Sequence, residues 1–461
     1  MTASQPPLDS GWWDRPELRA VLARRDVAGV FRWMQRHGWS QTQIGARTCQ
    51  SQGEVSEILK GRQVKAYDVL ERIADALEIP RGLMGLAYSA TSQSDSDETH
   101  ELTIEDRRNF AGAVASVAFG SVNDEAKKWL PQFSNGVAAV PSVITDSDVQ
   151  QVVSMTVQLR KVDQRYGGGA AVDAARGFYG YARRMIHSTA DAQTHRELKI
   201  SLADFSSMLG WSFHDIGDQS SARRFLMNAL VLAKGADEPS LASSTLYRLG
   251  RVSMQEAQPV EALKMLQLGQ LAAQDAGDPA EVARLHANEA LAYAMLGKHD
   301  HVKDCLARAV HEMGRADKSR VSPWTTLYFT PGDYTGHQAL VYNSLASYAK
   351  DPRQSREYAE RAVAFSQQAL DESGEDRPRR SRTFDRIILS TNLLRTDEVD
   401  SGIAIAHSVV TETQNLRSGR GISRLAEIAT AASGLSDNPD AKDLMHQLAF
   451  ARNTALKALT A

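Results

Sequence analysis

Cysteine is scarce: the 461 residues hold two, Cys49 and Cys305, far apart in sequence. That excludes a disulfide framework, and Cys49 reads as a small filler residue. An excess of one charge is also missing. A net charge of −3 argues against a protein coated in nucleic acid, while leaving room for one small domain that touches it. Long apolar runs are absent too. No basic segment followed by an apolar core opens the chain. The run AGAVASVAFG, after Arg107-Arg108-Asn109-Phe110, is broken by Gly120 and too short to span a bilayer. It reads as a buried helix, and the expectation is a soluble, cytoplasmic protein with no membrane partner.

Catalytic fingerprints are missing as well. There is no G-x-S-x-G elbow, no H-E-x-x-H and no Walker or Rossmann pattern. Gly167-Gly168-Gly169 lacks the strand and lysine of a phosphate loop and reads as a turn between helices. His299-Asp300-His301 is expected on a solvated turn, where i, i+2 spacing splays the rings and no third and fourth ligands follow. His214-Asp215 reads as polar surface at a helix end. The expectation is therefore no enzyme, no metal and no cofactor.

What is present is ordinary globular composition, 42% apolar and 24% charged, at a length that allows two to four domains. Residues 1–25 form an extension with a short helix, in which Trp12, Trp13, Leu18, Val21 and Leu22 are expected to pack on the unit that spans 26–88. From 26 to 88 the pattern is all helical. Val27, Val30, Phe31 and Met34 share one helix face, and His37-Gly38 ends that helix. Ser40 is an N-cap with Gln43 at the capping-box position; Ser51 caps the next helix with Glu54. Ile44, then Val55, Ile58 and Leu59, turn inward, and Lys60-Gly61 closes the helix that Ser51 caps. Val69, Leu70, Ile73, Ala74 and Leu77 give a further helix stopped by Pro80, followed by a turn from Leu83 to Tyr88. Two short helices joined by a tight turn and flanked by packing helices make a helix-turn-helix.

The runs Trp39-Ser40-Gln41-Thr42-Gln43-Ile44, Ser51-Gln52-Gly53-Glu54-Val55-Ser56-Glu57-Ile58 and Lys60-Gly61-Arg62 resemble the XRE family of bacterial and phage repressor domains. The resemblance implies a lambda-repressor-like fold and double-stranded DNA as a partner. It implies that Gln41 bonds a phosphate, and that Gln52, Gly53, Glu54 and Glu57, with Ser56 nearby, lie on the groove face of a recognition helix. Lys60, Arg62 and Lys65 match the backbone-gripping rim. One feature departs from the pattern. The 26–88 stretch has eight Lys/Arg against seven Asp/Glu, so a single domain is expected to bind DNA weakly.

Residues 89–101 (SATSQSDSDETHE) read as an acidic flexible linker, and 102–198 as a helical connecting region in which Val149, Val152, Val153, Met155 and Leu159 form an amphipathic stretch. From 199 to 461 a step of 40 residues aligns Gly210, Gly250 and Ala290. It also aligns Gly217, Ala257 and Gly297, then Ala222, Ala262 and Val302, then Leu226, Leu266 and Leu306. The small residues are expected where helices of a hairpin cross, and the leucines where hairpins stack. Further helices are expected near 339–349, 354–370, 383–394 and 401–413. This half of the chain resembles tetratricopeptide-repeat sensor domains, with a step longer than the usual one. The resemblance implies an α-solenoid with a concave face. On its register Trp211, His214, Tyr247, Arg251 and Arg284 fall on that face, with Arg251 or Arg284 available to a carboxylate.

The fold class is thus all-α: a lambda-repressor-like head followed by a tetratricopeptide-like α-solenoid. The combination resembles peptide-sensing bacterial regulators. It implies a homodimeric transcriptional regulator whose DNA affinity responds to a peptide, small-molecule or protein effector. The alternative is an interaction scaffold in which the solenoid binds a regulatory protein and the head only localises it.

Overall fold

The structure is a computed structural model that describes residues 12–13, 15–48, 50–64, 67–77, 79, 81–84, 102–133, 139–317, 322–326, 331–372, 379–414, 418–435 and 437–460. Cys49, Lys65, Pro80, the 85–88 end of the last turn and the acidic 89–101 stretch lie outside them. The chain divides into two compact units, Met1–Glu98 and Thr99–Ala461. No strand occurs among the described residues.

The first unit holds α1 (Pro16–Ala23), α2 (Val27–Arg36), α3 (Gln41–Thr48), α4 (Gln52–Leu59), α5 (Tyr67–Ala76) and a 3₁₀ turn at Arg81–Met84. Its helices are too short to persist alone, so they depend on a shared core. Trp12, Trp13, Leu18 and Leu22 supply one side of that core. Phe31, Met34, Ile44, Val55, Ile58, Leu70 and Ile73 supply the rest. The extension is therefore part of the head, as its apolar spacing anticipates.

The second unit starts with α6 (Ile104–Ala118), α7 (Asp124–Lys128), α8 (Asp146–Tyr166) and α9 (Val172–Ala182). Helix hairpins follow: α10 (Ala192–Ile216) with α11 (Gln219–Gly235), α12 (Pro239–Gln255) with α13 (Pro259–Asp275), and α14 (Pro279–Met295) with α15 (His299–Arg315). After the short α16 (Pro323–Thr326) come α17 (Pro331–Tyr348) with α18 (Pro352–Asp371), α19 (Arg379–Arg395) with α20 (Val399–Gln414), and α21 (Gly419–Ser433) with α22 (Pro439–Thr460). The four helices expected in the degenerate copies are α17 to α20. The 102–198 stretch shares one buried core with the hairpins: Phe110, Val114, Val152 and Tyr179 pack together with Leu202, Phe225 and Leu246. Helix α10 also begins ahead of residue 199.

The repeat keeps time every 20 residues. Gly217, Asp237, Ala257, Gly277 and Gly297 all have positive φ, each just past a helix end. Pro239, Pro259 and Pro279 each sit at the first helical position, where the missing N–H costs no bond. Two helices and their turns thus make 40 residues. Ala257 holds φ 55° with a Cβ, a conformation that costs about 1–2 kcal/mol, against about 0.5–1 kcal/mol for glycine's extra entropy. Ala257→Gly is therefore expected to raise stability by about 0.5 kcal/mol in denaturant melts. A loss instead would mean the methyl is needed for packing.

Sequence spacing needs correction at several points. A Cβ on Gly210 would lie 2.7 Å from Leu226, and one on Gly250 would lie 3.0 Å from Leu266. The aligned leucines therefore fill the crossing inside each hairpin, opposite the small residue, instead of marking the stack between hairpins. Helix α6 is buried along one face only: Phe110, Ala113, Val114 and Val117 are covered, whereas Ile104 and Phe119 are exposed. In α8, Val149, Val152 and Leu159 are buried but Val153 and Met155 face solvent, since they fall off the 3.6-residue stripe. Gly167 does end α8 in a turn, at φ 94°. His299-Asp300-His301 opens α15 and is not a solvated turn. The His299 Nδ1 lies 3.0 Å from the Tyr358 hydroxyl, and the His301 ring packs on Tyr293. The two rings pack on different tyrosines.

The array also bends back on itself. The first helices of successive hairpins, α10, α12, α14, α17, α19 and α21, each contact the next, and α21 returns to pack on α10. Six inner helices surround the concave face that was expected.

Candidate functional sites

In the head, Ser51 and Glu54 form the capping box expected of them. The Ser51 Oγ accepts from the Glu54 N–H, and the Glu54 carboxylate accepts from the Ser51 N–H at 2.7 Å. Those bonds hold the Glu54 carboxyl below the usual carboxylate range, the backbone N–H of Ser51 contributing most. Ser40 and Gln43 cap α3 in the same reciprocal way. Gly45 lets α3 approach the turn: a Cβ there would stand 2.5 Å from the Gln50 carbonyl oxygen. Arg47 Nε donates to the Ala76 carbonyl and ties α3 to α5. The result fixes the angle between α3 and α4.

Gln52, Gly53, Glu54 and Glu57 are exposed on α4, with Ser56 half-buried beside them; Lys60 and Arg62 are exposed past its end. Gln41, at the start of α3, is half-buried, and its Oε1 accepts from Gln52 Nε2 at 2.8 Å. The two glutamines therefore orient each other across the turn. Glu57 is bound at 2.7 Å by Arg62, in an exposed pair that a phosphate can displace. Lys65 lies outside the described residues. Sequence reasoning passed over a basic cluster: Arg24, Arg25, Arg32 and Arg62 line a cavity of 570 Å³ between the start of α2 and the loop after α4. The signal was the Arg24-Arg25 doublet, which sits just ahead of the 26–88 window. Because α1 belongs to the head, residues 1–25 count toward its charge, and Arg15, Arg19, Arg24 and Arg25 against Asp9, Asp14 and Glu17 add a net of +1.

Residues 31–83 match a helix-turn-helix family model. The match starts inside α2 and runs through α3, α4 and α5 to the 3₁₀ turn. It supports a DNA-binding regulator through this helix-turn-helix head. A comparison with curated proteins gave no match. No described helix is long and apolar enough to cross a membrane.

In the helical array, the space among the inner helices holds an open cavity of 150 Å³ lined from all six of them. Trp211, Tyr247, Arg251 and Arg284, placed on the inner face from sequence, are all in its wall. Helices α17 to α21 add His337, Phe384, Arg420 and Arg424, which sequence reasoning did not find. His214 is a different case. It is buried against the Trp211 ring, its Nδ1 is 2.8 Å from Gln219 Oε1, and it is not in the cavity wall. Burial and the nearby Arg420 charge lower its pKa to about 3, so it is neutral. Burial and Arg251 do the same to His337, also to about 3, and its Nε2 lies 2.9 Å from the Ala287 carbonyl.

Asp215 is not polar surface. It is fully buried and accepts from five donors: the Gly168 N–H, Arg380 Nη1, the Ser418 hydroxyl, and Arg420 Nε and Nη2, at 2.7–3.0 Å. Burial pushes its carboxyl up, but Arg380 and Arg420 outweigh that and hold it well below the usual range. Asp163 shares Arg380 at 3.4 Å, and there burial wins and raises the carboxyl. Gly419 lets α21 come this close, since a Cβ would meet the Ile216 carbonyl at 2.7 Å. This clasp is what joins the last hairpin to the first.

Proposed function

We propose that this protein is a sequence-specific transcriptional regulator that binds DNA as a homodimer, with DNA affinity set by an effector held in the helical array. The observation that carries the reading is the matched helix-turn-helix with its exposed α4 face beside a cluster of arginines. Gln41 would bond a phosphate at the N-terminus of α3, with Gln52 and Glu57 meeting base edges. Lys60, Arg62 and Lys65 would hold the backbone. Glu54 spends its carboxylate on the cap, which makes it a structural member of this set. One head reads few base pairs, so two half-sites about one helical turn apart are needed for useful specificity. The array supplies the dimer contact and the effector site, and differential binding of an effector to two arrangements is enough for control.

Salt titration of duplex binding by the full chain tests this. Two copies, each neutralising about three phosphates, give a slope of about −5 in log affinity against log salt. Failure to bind any duplex at low salt would overturn the reading and leave the scaffold alternative.

Gly53 gives a sharper test. It is exposed within α4, and an added Cβ would come no nearer than 3.9 Å to Ser51 Oγ. Helix propensity alone favours alanine there by up to about 1 kcal/mol. Gly53→Ala is expected to keep or raise the melting temperature while weakening DNA binding by about tenfold, because the glycine admits a close backbone approach. Unchanged DNA affinity would place Gly53 off the interface.

A further inference from the structure

The cavity inside the six helices adjoins a second one of 270 Å³, and the two share Arg251, Leu340 and Arg424 in their walls. Those shared arginines come from the two helices that flank α10, Arg251 from α12 and Arg424 from α21. Neither has a carboxylate within ion-pair reach among the described residues: Arg251 Nη1 donates to the Asn288 side chain, and Arg424 lies over the Phe384 ring. The other two arginines of the first cavity are neutralised from behind, Arg284 by Glu281 and Arg420 by Asp215. Asp333 and Asp385 also line that cavity, and Glu427 lines the second, bound by the Asn343 amide. Arginines still outnumber carboxylates in the first cavity. Burial lowers the pKa of Arg251; Tyr247 opposes this and the nearby Arg424 charge adds to it.

Arg284 is 1% exposed and stacks over Tyr247 at 4.1 Å, which fixes that side of the first cavity's wall. Beyond the arginine pair, the second cavity offers Met254, Leu291, Met295, Leu340 and Tyr348.

We propose that the array binds a small amphipathic carboxylic acid, its carboxylate held between Arg251 and Arg424 and its apolar chain over Met254, Leu291 and Met295. Guanidinium forks match a carboxylate's two oxygens, and the methionines adapt to an unbranched or branched chain. This deepens the effector reading and rests on it for any effect on DNA.

Calorimetry of the full chain with octanoate, octanol and octanamide tests the site without DNA. Octanoate is expected to bind and to raise the melting temperature, with both uncharged analogues at least about tenfold weaker. Arg251→Gln and Arg424→Gln are each expected to remove that preference while the variants keep the wild-type helical circular dichroism. Equal binding of acid and alcohol, no binding of octanoate, or an unaffected preference in both variants would overturn the site. A hexapeptide with a free C-terminal leucine is the second arm. If it binds through both arginines and octanoate does not, the ligand is a peptide end and the small-acid proposal fails. A DNA titration with and without octanoate is separate: octanoate binding with no change in DNA affinity sustains the site and sinks the effector reading.

Discussion

Asp215→Ala is expected to release the last hairpins from the first. The substitution leaves Arg420 without its carboxylate in a buried site and takes from Arg380 its 2.9 Å ion pair, with the Asp163 carboxylate farther off at 3.4 Å. Breaking one side of a buried ion pair costs about 3–5 kcal/mol, mostly the penalty of the stranded charge. The loss is local, because the groups that bind Asp215 lie on Gly168, Arg380, Ser418 and Arg420, away from α12 to α15. Amide exchange in α19 and α21 is therefore expected to quicken by roughly two to three orders of magnitude, with α12 to α15 keeping their protection. Asp215→Asn retains an acceptor but not the charge and falls between. Unchanged exchange in α21 would show that apolar packing, not the clasp, closes the array.

The second large effect is acid sensitivity. His214 and His337 are held neutral, with folded pKa values of about 3 against 6.5 for the ordinary side chain. A depressed histidine binds its proton more readily in the unfolded chain. Its contribution to stability is complete above pH 6.5 and is lost as pH falls from there toward 3. Each histidine removes about 1.4 kcal/mol per pH unit in that window, so the array should lose roughly 4 kcal/mol between pH 6.5 and pH 5. The depressed Asp215 carboxyl adds a further loss below its unfolded value, near pH 4. Asp163, raised by burial, opposes it as it takes up its proton. Urea melts at pH 7.5 and pH 5 measure the difference. A flat profile, or a ring signal from either histidine titrating near pH 6.5, would contradict the burial of these side chains.

The head is readable because its determinants are local. Ser40 with Gln43 and Ser51 with Glu54 are three residues apart, and the apolar positions follow a helical period. The Glu57 to Arg62 pair is not readable in the same way: sequence assigns the two residues separate tasks, and the structure joins them. In the array, the 40-residue step places Trp211, Tyr247, Arg251 and Arg284 on the inner face, since the early copies keep a strict register. The finer 20-residue cadence of Pro239, Pro259 and Pro279 emerges only with the helix ends in view. His214-Asp215 misleads because the partners that bury Asp215 are 165 and 205 residues away, on helices in degenerate copies. The same distance hides Arg420 and Arg424, and with them the contact that brings α21 back to α10.

Whether this head reads a DNA sequence in pairs is tested most directly by selection from a random-sequence duplex library. The full chain is used, and the selection is repeated with Gln52→Ala. The expected result is an inverted repeat with half-sites about one helical turn apart, and a changed or lost preference at one position per half-site in the variant. Enrichment of no sequence, or an identical motif from Gln52→Ala, would contradict it.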